Sequence, residues 1–171
     1  MLETHVTVNA AYYQYYFYGG DFDTSSVDMV NDGILAPGAS GARIATGAHT
    51  GHLELTICVV SDPISLPCDP DAIASACNIE LSTGVAQIAS WGGPVVFEYD
   101  FGTPITCGLL VEVFGRDEAF VHQYEPEKPP PEHQRITICP ASFPQGRWRS
   151  AKIDMTGSQS ATYTAHVDPG L

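Results

Sequence analysis

The feature that most constrains this chain is a series of short segments in which apolar and polar residues alternate, with turn residues between them. In one of these segments Leu53, Leu55 and Ile57 alternate with Glu54 and Thr56. Alternation with a period of two places one set of side chains on the buried face of a strand. Turn residues recur about every ten positions, and the chain has 16 Gly and 13 Pro. These features predict an all-β protein, an antiparallel β-sandwich of about eight or nine short strands with one short helix.

The strands can be assigned from the same pattern. One long strand is predicted over residues 5–18, with a bend near 9–11, and a helix of about two turns follows with Ser25 as its N-cap. The other predicted strands are 42–48, 52–61, 74–81, 85–90, 94–101, 105–114, 119–124 and 133–139.

The pattern also predicts the domain organisation. A chain of 171 residues is long enough for one well-formed core. We expect residues 1–139 to form a single acidic β-sandwich domain and residues 140–171 to form a C-terminal extension, partly packed on it. Residues 125–132, which include three consecutive prolines, are predicted to be an exposed loop, because proline cannot donate to a sheet ladder.

The five cysteines indicate the compartment. Cys58, Cys107 and Cys139 lie within apolar runs, which predicts buried thiols. Cys68 and Cys77 are nine residues apart, and a bridge between them stays open. The N-terminal residues form neither a basic nor an apolar leader, and no apolar run has the length of a membrane span. We therefore expect a cytoplasmic protein without a membrane segment.

Charge is distributed unevenly along the chain. The formal net charge is −13, and Arg43 is the only Lys or Arg among the first 115 residues. A surface with so few cations cannot neutralise phosphates, so nucleic acid is excluded as a partner. An acidic surface attracts basic protein surfaces instead.

Catalytic and metal motifs are weak. There is no Gly-x-Ser-x-Gly elbow, phosphate loop or dinucleotide fingerprint. The pairs His49/His52, Asp21/Asp23, Asp69/Asp71 and Glu98/Asp100 suit turns and exposed strand faces better than a catalytic or metal site. We predict no enzymatic activity, no metal and no cofactor.

Several short motifs resemble the competence protein J family. They are the tyrosine-rich strand Ala10–Tyr16, the segment Ala42–Gly47 that leads into the strand from Leu53, and an apolar hairpin after Gly93. The similarity covers roughly residues 4–115. This chain lacks an Asp-Trp dipeptide before the small helix and adds the proline-rich segment and a basic tail. Members of that family inhibit a DNA-entry nuclease, so the resemblance implies a binding protein without catalytic residues.

Charge and resemblance lead to one functional hypothesis. A nuclease holds phosphates with Lys and Arg, and an acidic protein can occupy such a basic groove. The chain is predicted to be an inhibitor or immunity-type protein that binds a basic partner, a nuclease or other toxin. Tyr18 and Trp91 are the predicted anchors. The acidic residues predicted to steer association are Asp21, Asp23, Asp62, Asp69 and Asp71.

Three other functions stay open on the sequence alone. The first is a ligand-binding β-sandwich of lectin or carbohydrate-module type, which would use Trp91 and the tyrosines, with Asp21 and Asp23 as candidate Ca²⁺ ligands. The second is a hydrolase or isomerase that uses His49, His52 or the Glu98/Asp100 pair. The third is a subunit of a larger assembly.

Overall fold

The computed structural model describes residues 1–20, 33–61, 69, 72–122 and 132–142. The predicted helix near Ser25, the proline-rich segment and most of the C-terminal extension lie outside these residues. The described strands are β1 Leu2–Ala11, β2 Gln14–Tyr18, β3 Leu35–Pro37, β4 Gly41–Ala45, β5 Thr50–Val59, β6 Ile73–Leu81, β7 Val85–Ser90, β8 Val95–Asp100, β9 Ile105–Phe114 and β10 His133–Cys139, with helix α1 Arg116–His122 between β9 and β10.

The strands form one mixed sheet that curls until it is nearly barrel-shaped. Hydrogen-bonded neighbours follow the order β3-β4-β2-β1-β5-β10-β9-β6, and β7 joins β2 to β8. Strand β1 pairs antiparallel with β5 along its full length, whereas β10 pairs parallel with β5. The all-β class is confirmed, but the strictly antiparallel sandwich is wrong. Alternation specifies which face of a strand is buried and leaves the order and direction of its neighbours undetermined.

Strand positions agree with the sequence pattern in most places. β7 and β9 have the predicted bounds, and so does β10. Residues 5–18 are two strands joined by a tight turn, and β3, with three residues, was not predicted. The strand predicted at 119–124 is wrong, because α1 covers most of that range. Gly115, with φ 68°, ends β9, and the acidic residues Asp117 and Glu118 suit the first turn of a helix.

The core lies inside the curled sheet. Tyr15 and Phe17 of β2 pack with residues of β5 and β9, among them Ile57 and Leu109, and all four are fully buried. Such burial follows from the alternation, since successive side chains point to opposite faces.

Cysteine burial follows the prediction. Cys58, Cys107 and Cys139 are buried in strands. Burial raises the pKa of the Cys107 thiol to about 12. A bridge between Cys68 and Cys77 stays a prediction, because Cys68 lies outside the described residues. In the described part of the chain, no helix is long and apolar enough to cross a membrane.

Candidate partner-binding surface

The turn between β1 and β2 consists of two tyrosines in the left-handed backbone region. Tyr12 has φ 55° and Tyr13 has φ 63°. Two-residue hairpins with both central φ angles positive match the twist of the strands, but they normally contain Asn-Gly or a similar pair. A left-handed conformation costs a residue with a side chain about 1–2 kcal/mol. Strain of this kind persists only where the surroundings hold it, and it is concentrated at functional sites.

The loop before β5 holds this turn. The Tyr13 N–H donates to the His49 carbonyl at 3.0 Å, and the Thr46 N–H donates to the Tyr13 carbonyl at 2.9 Å. The Thr46 hydroxyl in turn donates to the Ala48 carbonyl at 2.8 Å. The turn and the loop of residues 46–49 therefore form one hydrogen-bonded unit.

Aromatic rings gather around this unit at the protein surface. The Tyr12 ring lies 4.8 Å from the Trp91 ring and 5.4 Å from the His49 ring, centroid to centroid, in edge-on geometry. The Tyr13 ring lies 4.8 Å from His49 and 6.3 Å from Phe120 of α1. Tyr12 is 60% exposed, Phe120 54% and Trp91 43%. We call these five residues the aromatic surface; exposed apolar groups in a contiguous patch are typical of an interaction site.

Trp91 has a fixed orientation within the aromatic surface. It lies in the turn between β7 and β8, next to Gly92 with φ 62°. Its indole N–H donates to the hydroxyl of Tyr16, a residue of β2 that is itself buried. This bond ties the polar edge of the indole to the sheet and leaves part of the ring in solvent.

A buried carboxyl group supports the loop of residues 46–49 from below. Glu132 accepts hydrogen bonds at 2.7 Å from the Gly47 N–H and at 2.7 Å from the Gln134 side chain. Gln134 also donates to the Ala45 carbonyl at 3.0 Å and accepts from the Tyr15 hydroxyl at 2.7 Å. Burial raises the pKa of Glu132, although its hydrogen bonds and the nearby Arg116 oppose the shift. The network fixes the loop that carries His49.

Helix α1 packs against the same loop. A Cβ atom added to Gly47 would lie 2.2 Å from the Arg116 carbonyl oxygen and 2.9 Å from the Arg116 Cγ atom. The close approach requires glycine and places Phe120 beside Tyr13. Asp117 and Glu118, in the first turn of α1, are exposed near this edge of the aromatic surface.

The structure separates the residues that the sequence singled out for binding. Trp91 belongs to the aromatic surface, whereas Tyr18 is half-buried at the far end of β2, opposite Gln87 of β7. The Asp69 N–H donates to the Glu112 carboxylate of β9 at 2.8 Å. The other predicted acids lie outside the described residues: Asp21, Asp23, Asp62 and Asp71.

The sequence did not predict four members of the aromatic surface as partner-binding residues, although it named His49 as a weak metal or acid–base candidate and the tyrosines as possible sugar contacts. No local signal marked a turn at Tyr12 and Tyr13, because this turn lacks the Gly or Asn that normally indicates one. His49 and Phe120 come near them only through the fold. The exposed Phe120-Val121 pair of α1 was assigned to a strand, which concealed its place at the surface.

The weak catalytic pairs are engaged in local structure. Glu98 and Asp100 share the exposed face of β8, where Glu98 accepts a bond from the Gln87 side chain at 2.7 Å and Asp100 from the Gly102 N–H at 2.7 Å. His49 contacts the tyrosine turn. Within the described ranges, no group of three His, Cys, Asp or Glu residues is placed to hold a metal ion.

Comparison with known proteins identifies the fold through solved structures and not through sequence. Neither a protein-family model nor a curated protein matches the sequence. Among solved structures, ComJ from Bacillus subtilis, an inhibitor of the DNA-degrading activity of NucA, superposes with a TM-score of 0.54 over 82% of this chain and 96% of ComJ, at 10% identity. The chain has the ComJ fold. This agrees with the resemblance of residues 4–115 to the competence protein J family. The protein of crocagin biosynthetic gene J matches with a TM-score of 0.48 and 13% identity, over 82% of this chain and 99% of its own.

Proposed function

We propose that this protein is a non-enzymatic, cytoplasmic inhibitor or immunity-type protein that binds a basic partner enzyme, a nuclease or other toxin. The observation that carries the proposal is the aromatic surface, an exposed cluster held rigid on a strained turn. The ComJ fold supports the choice of class, since ComJ inhibits a DNA-degrading enzyme.

The aromatic surface has the properties of a binding hot spot. Tyr and Trp are enriched at such sites because they offer a large contact area with few rotatable bonds. Tyr12 and Trp91 are already positioned by ring contacts and by the bond from Trp91 to Tyr16. Little conformational entropy remains to be lost on binding, so the contact area is converted efficiently into affinity.

Charge supports a basic partner. The chain carries 20 Asp and Glu residues against seven Lys and Arg. Asp117 and Glu118 lie exposed on the helix that carries Phe120. Opposite charge on the partner would accelerate association and reject acidic competitors.

A capture experiment followed by an activity assay tests the proposal. The immobilised protein is incubated with a lysate of its native host at low salt, and any captured enzyme is purified and assayed for DNA degradation or toxicity. We expect inhibition by the wild-type protein and association that slows as salt rises. Trp91→Ala should weaken binding by about 30-fold or more, the effect of a hot spot of about 2 kcal/mol.

A matched variant tests whether the loss of binding is specific to the aromatic surface or follows from the removal of any exposed apolar side chain. Leu2, at the start of β1, is 43% exposed, the same fraction as Trp91. Leu2→Ala should leave inhibition unchanged. Equal loss in both variants, or a captured enzyme that retains full activity in complex, would refute the proposal.

The exposed Trp91 beside Tyr12 also favours a second candidate, a sugar-binding protein of lectin or carbohydrate-module type. Aromatic rings on a surface can stack on sugar rings as well as on protein side chains. Calorimetry against a glycan panel, with and without Ca²⁺, distinguishes the two functions. Saturable glycan binding that Trp91→Ala removes would favour the second.

A further inference from the structure

A small cavity adjoins the aromatic surface. Its volume is ≈ 170 Å³, and Tyr12 and Tyr13 form part of both. It lies at the turn end of β2 and β4, and its wall includes Gln14, Arg43 and Arg116.

Two arginines are among the described residues that line the cavity, in a chain whose net charge is −13. Arg43 is the only Lys or Arg in the first 115 residues, and Arg116 is the next one along the chain. The fold brings both to this wall, and none of the described residues that line it is acidic.

The two guanidinium groups differ in their surroundings. Arg116 is 7% exposed, and its charge acts on the buried Glu132 behind it. Arg43 is half-buried on β4, opposite Tyr16, and forms no ion pair with any described residue. Among the residues that the structure describes, this partly buried arginine therefore has no carboxylate paired with it.

We propose that this cavity binds a side-chain carboxylate of the protein partner. A guanidinium group pairs with a carboxylate in a planar, two-bond geometry. The partner would cover the aromatic surface with an apolar patch of its own. An Asp or Glu side chain beside that patch would enter the cavity. The proposal rests on the proposed function only in assigning the carboxylate to a protein.

The cavity would discriminate between protein partners according to whether they carry a carboxylate at the right position. Covering Arg43 with a partner that lacks a carboxylate leaves a desolvated charge without a counter-ion, which is strongly unfavourable. The negative net charge of the protein attracts many basic proteins. Of these, the cavity would accept only proteins that carry a carboxylate at the matching position.

Titration of the isolated protein tests the cavity directly. Proton–nitrogen NMR spectra are recorded with sodium acetate, capped N-acetyl-aspartate amide or inorganic phosphate, each against sodium chloride at equal ionic strength. We expect saturable shifts of the Arg43 side-chain N–H and of the Tyr12 and Tyr13 amides with both carboxylates. Arg43→Gln should weaken the binding at least tenfold, and the dispersion of the same spectra reports whether the variant is folded.

Arg135→Gln is the matched control. Arg135 is a second partly exposed arginine on a strand, but it pairs with Glu112 at 3.4 Å and does not line the cavity. Its substitution should leave the titration unchanged. Shifts that grow linearly without saturation, or that persist in Arg43→Gln, would overturn the site.

The probes also distinguish the source of the ligand. Saturation by phosphate without saturation by either carboxylate would overturn the assignment to a protein side chain. Capture of an inhibited enzyme without any saturable shift would refute the cavity and leave the proposed function intact. Saturable carboxylate binding in a protein that inhibits no captured enzyme would support the cavity and refute the proposed function.

Discussion

Replacing Tyr12 by valine or by asparagine tests whether the aromatic surface rests on a strained turn. Either substitution removes the Tyr12 ring contacts to Trp91 and His49. Aromatic pairs contribute about 0.5–1.5 kcal/mol each, and exposure of Tyr12 favours the lower end, so this shared loss is about 1–2 kcal/mol. The two variants then differ mainly in their backbone preferences.

The difference follows from φ 55° at this position. Asparagine tolerates the left-handed region, whereas a β-branched side chain is a rare outlier there. Valine should therefore be less stable than asparagine by about 1–2 kcal/mol, the cost of a left-handed residue. For a domain of this size the same difference corresponds to roughly 2–8 °C in Tm.

Urea unfolding monitored by circular dichroism measures both variants under identical conditions. Position 18 supplies a control with the opposite sign, because Tyr18 lies within β2. Strands favour valine over asparagine, so Tyr18→Val should be the more stable member of that pair. If Tyr12→Val proved as stable as Tyr12→Asn, the turn would not have the left-handed conformation, and the argument that strain marks this site would fail.

Three further predictions concern the support of the surface and the core. Gly47→Ala should destabilise the fold by about 1–3 kcal/mol, because the new Cβ atom would overlap the Arg116 carbonyl. Thermal melts should show a smaller loss of stability for Gly102→Ala, where the added Cβ atom meets no neighbour and only the φ of 78° is unfavourable. Burial raises the pKa of the Glu132 carboxyl group above its ordinary value of 4.5. The folded state therefore binds the carboxyl proton more tightly than the unfolded state does. As the pH rises from about 4.5 through the folded-state pKa, ionisation of Glu132 lowers the stability of the fold. Urea melts at several pH values should therefore show Glu132→Gln gaining stability relative to wild type over that interval, and a constant difference would contradict the assignment. The Cys107 thiol, with a pKa of about 12, should not react with a disulfide reagent at pH 8 until the protein is unfolded, whereas rapid labelling of the folded protein would show that the core is open.

Local regularities in the sequence predicted much of the secondary structure. The bounds of β7, β9 and β10 follow from alternation and from the turn residues that flank it, and the burial of Cys107 follows from its apolar neighbours. Both signals act over a few residues, and they hold whichever strands come to lie beside them. The helix at 116–122 was missed because Phe120 and Val121 favour a strand locally, while the buried Ala119 packs on the helix's inner side.

By itself the sequence determined the all-β class, the faces of most strands and the negative charge of the chain. The tertiary structure alone decided that β10 lies parallel to β5, that two tyrosines form a left-handed turn, and that Arg43 meets Arg116 at one cavity. These features depend on contacts between segments far apart in the chain. Their free energies come from packing and hydrogen bonding across the whole sheet, which no local pattern records.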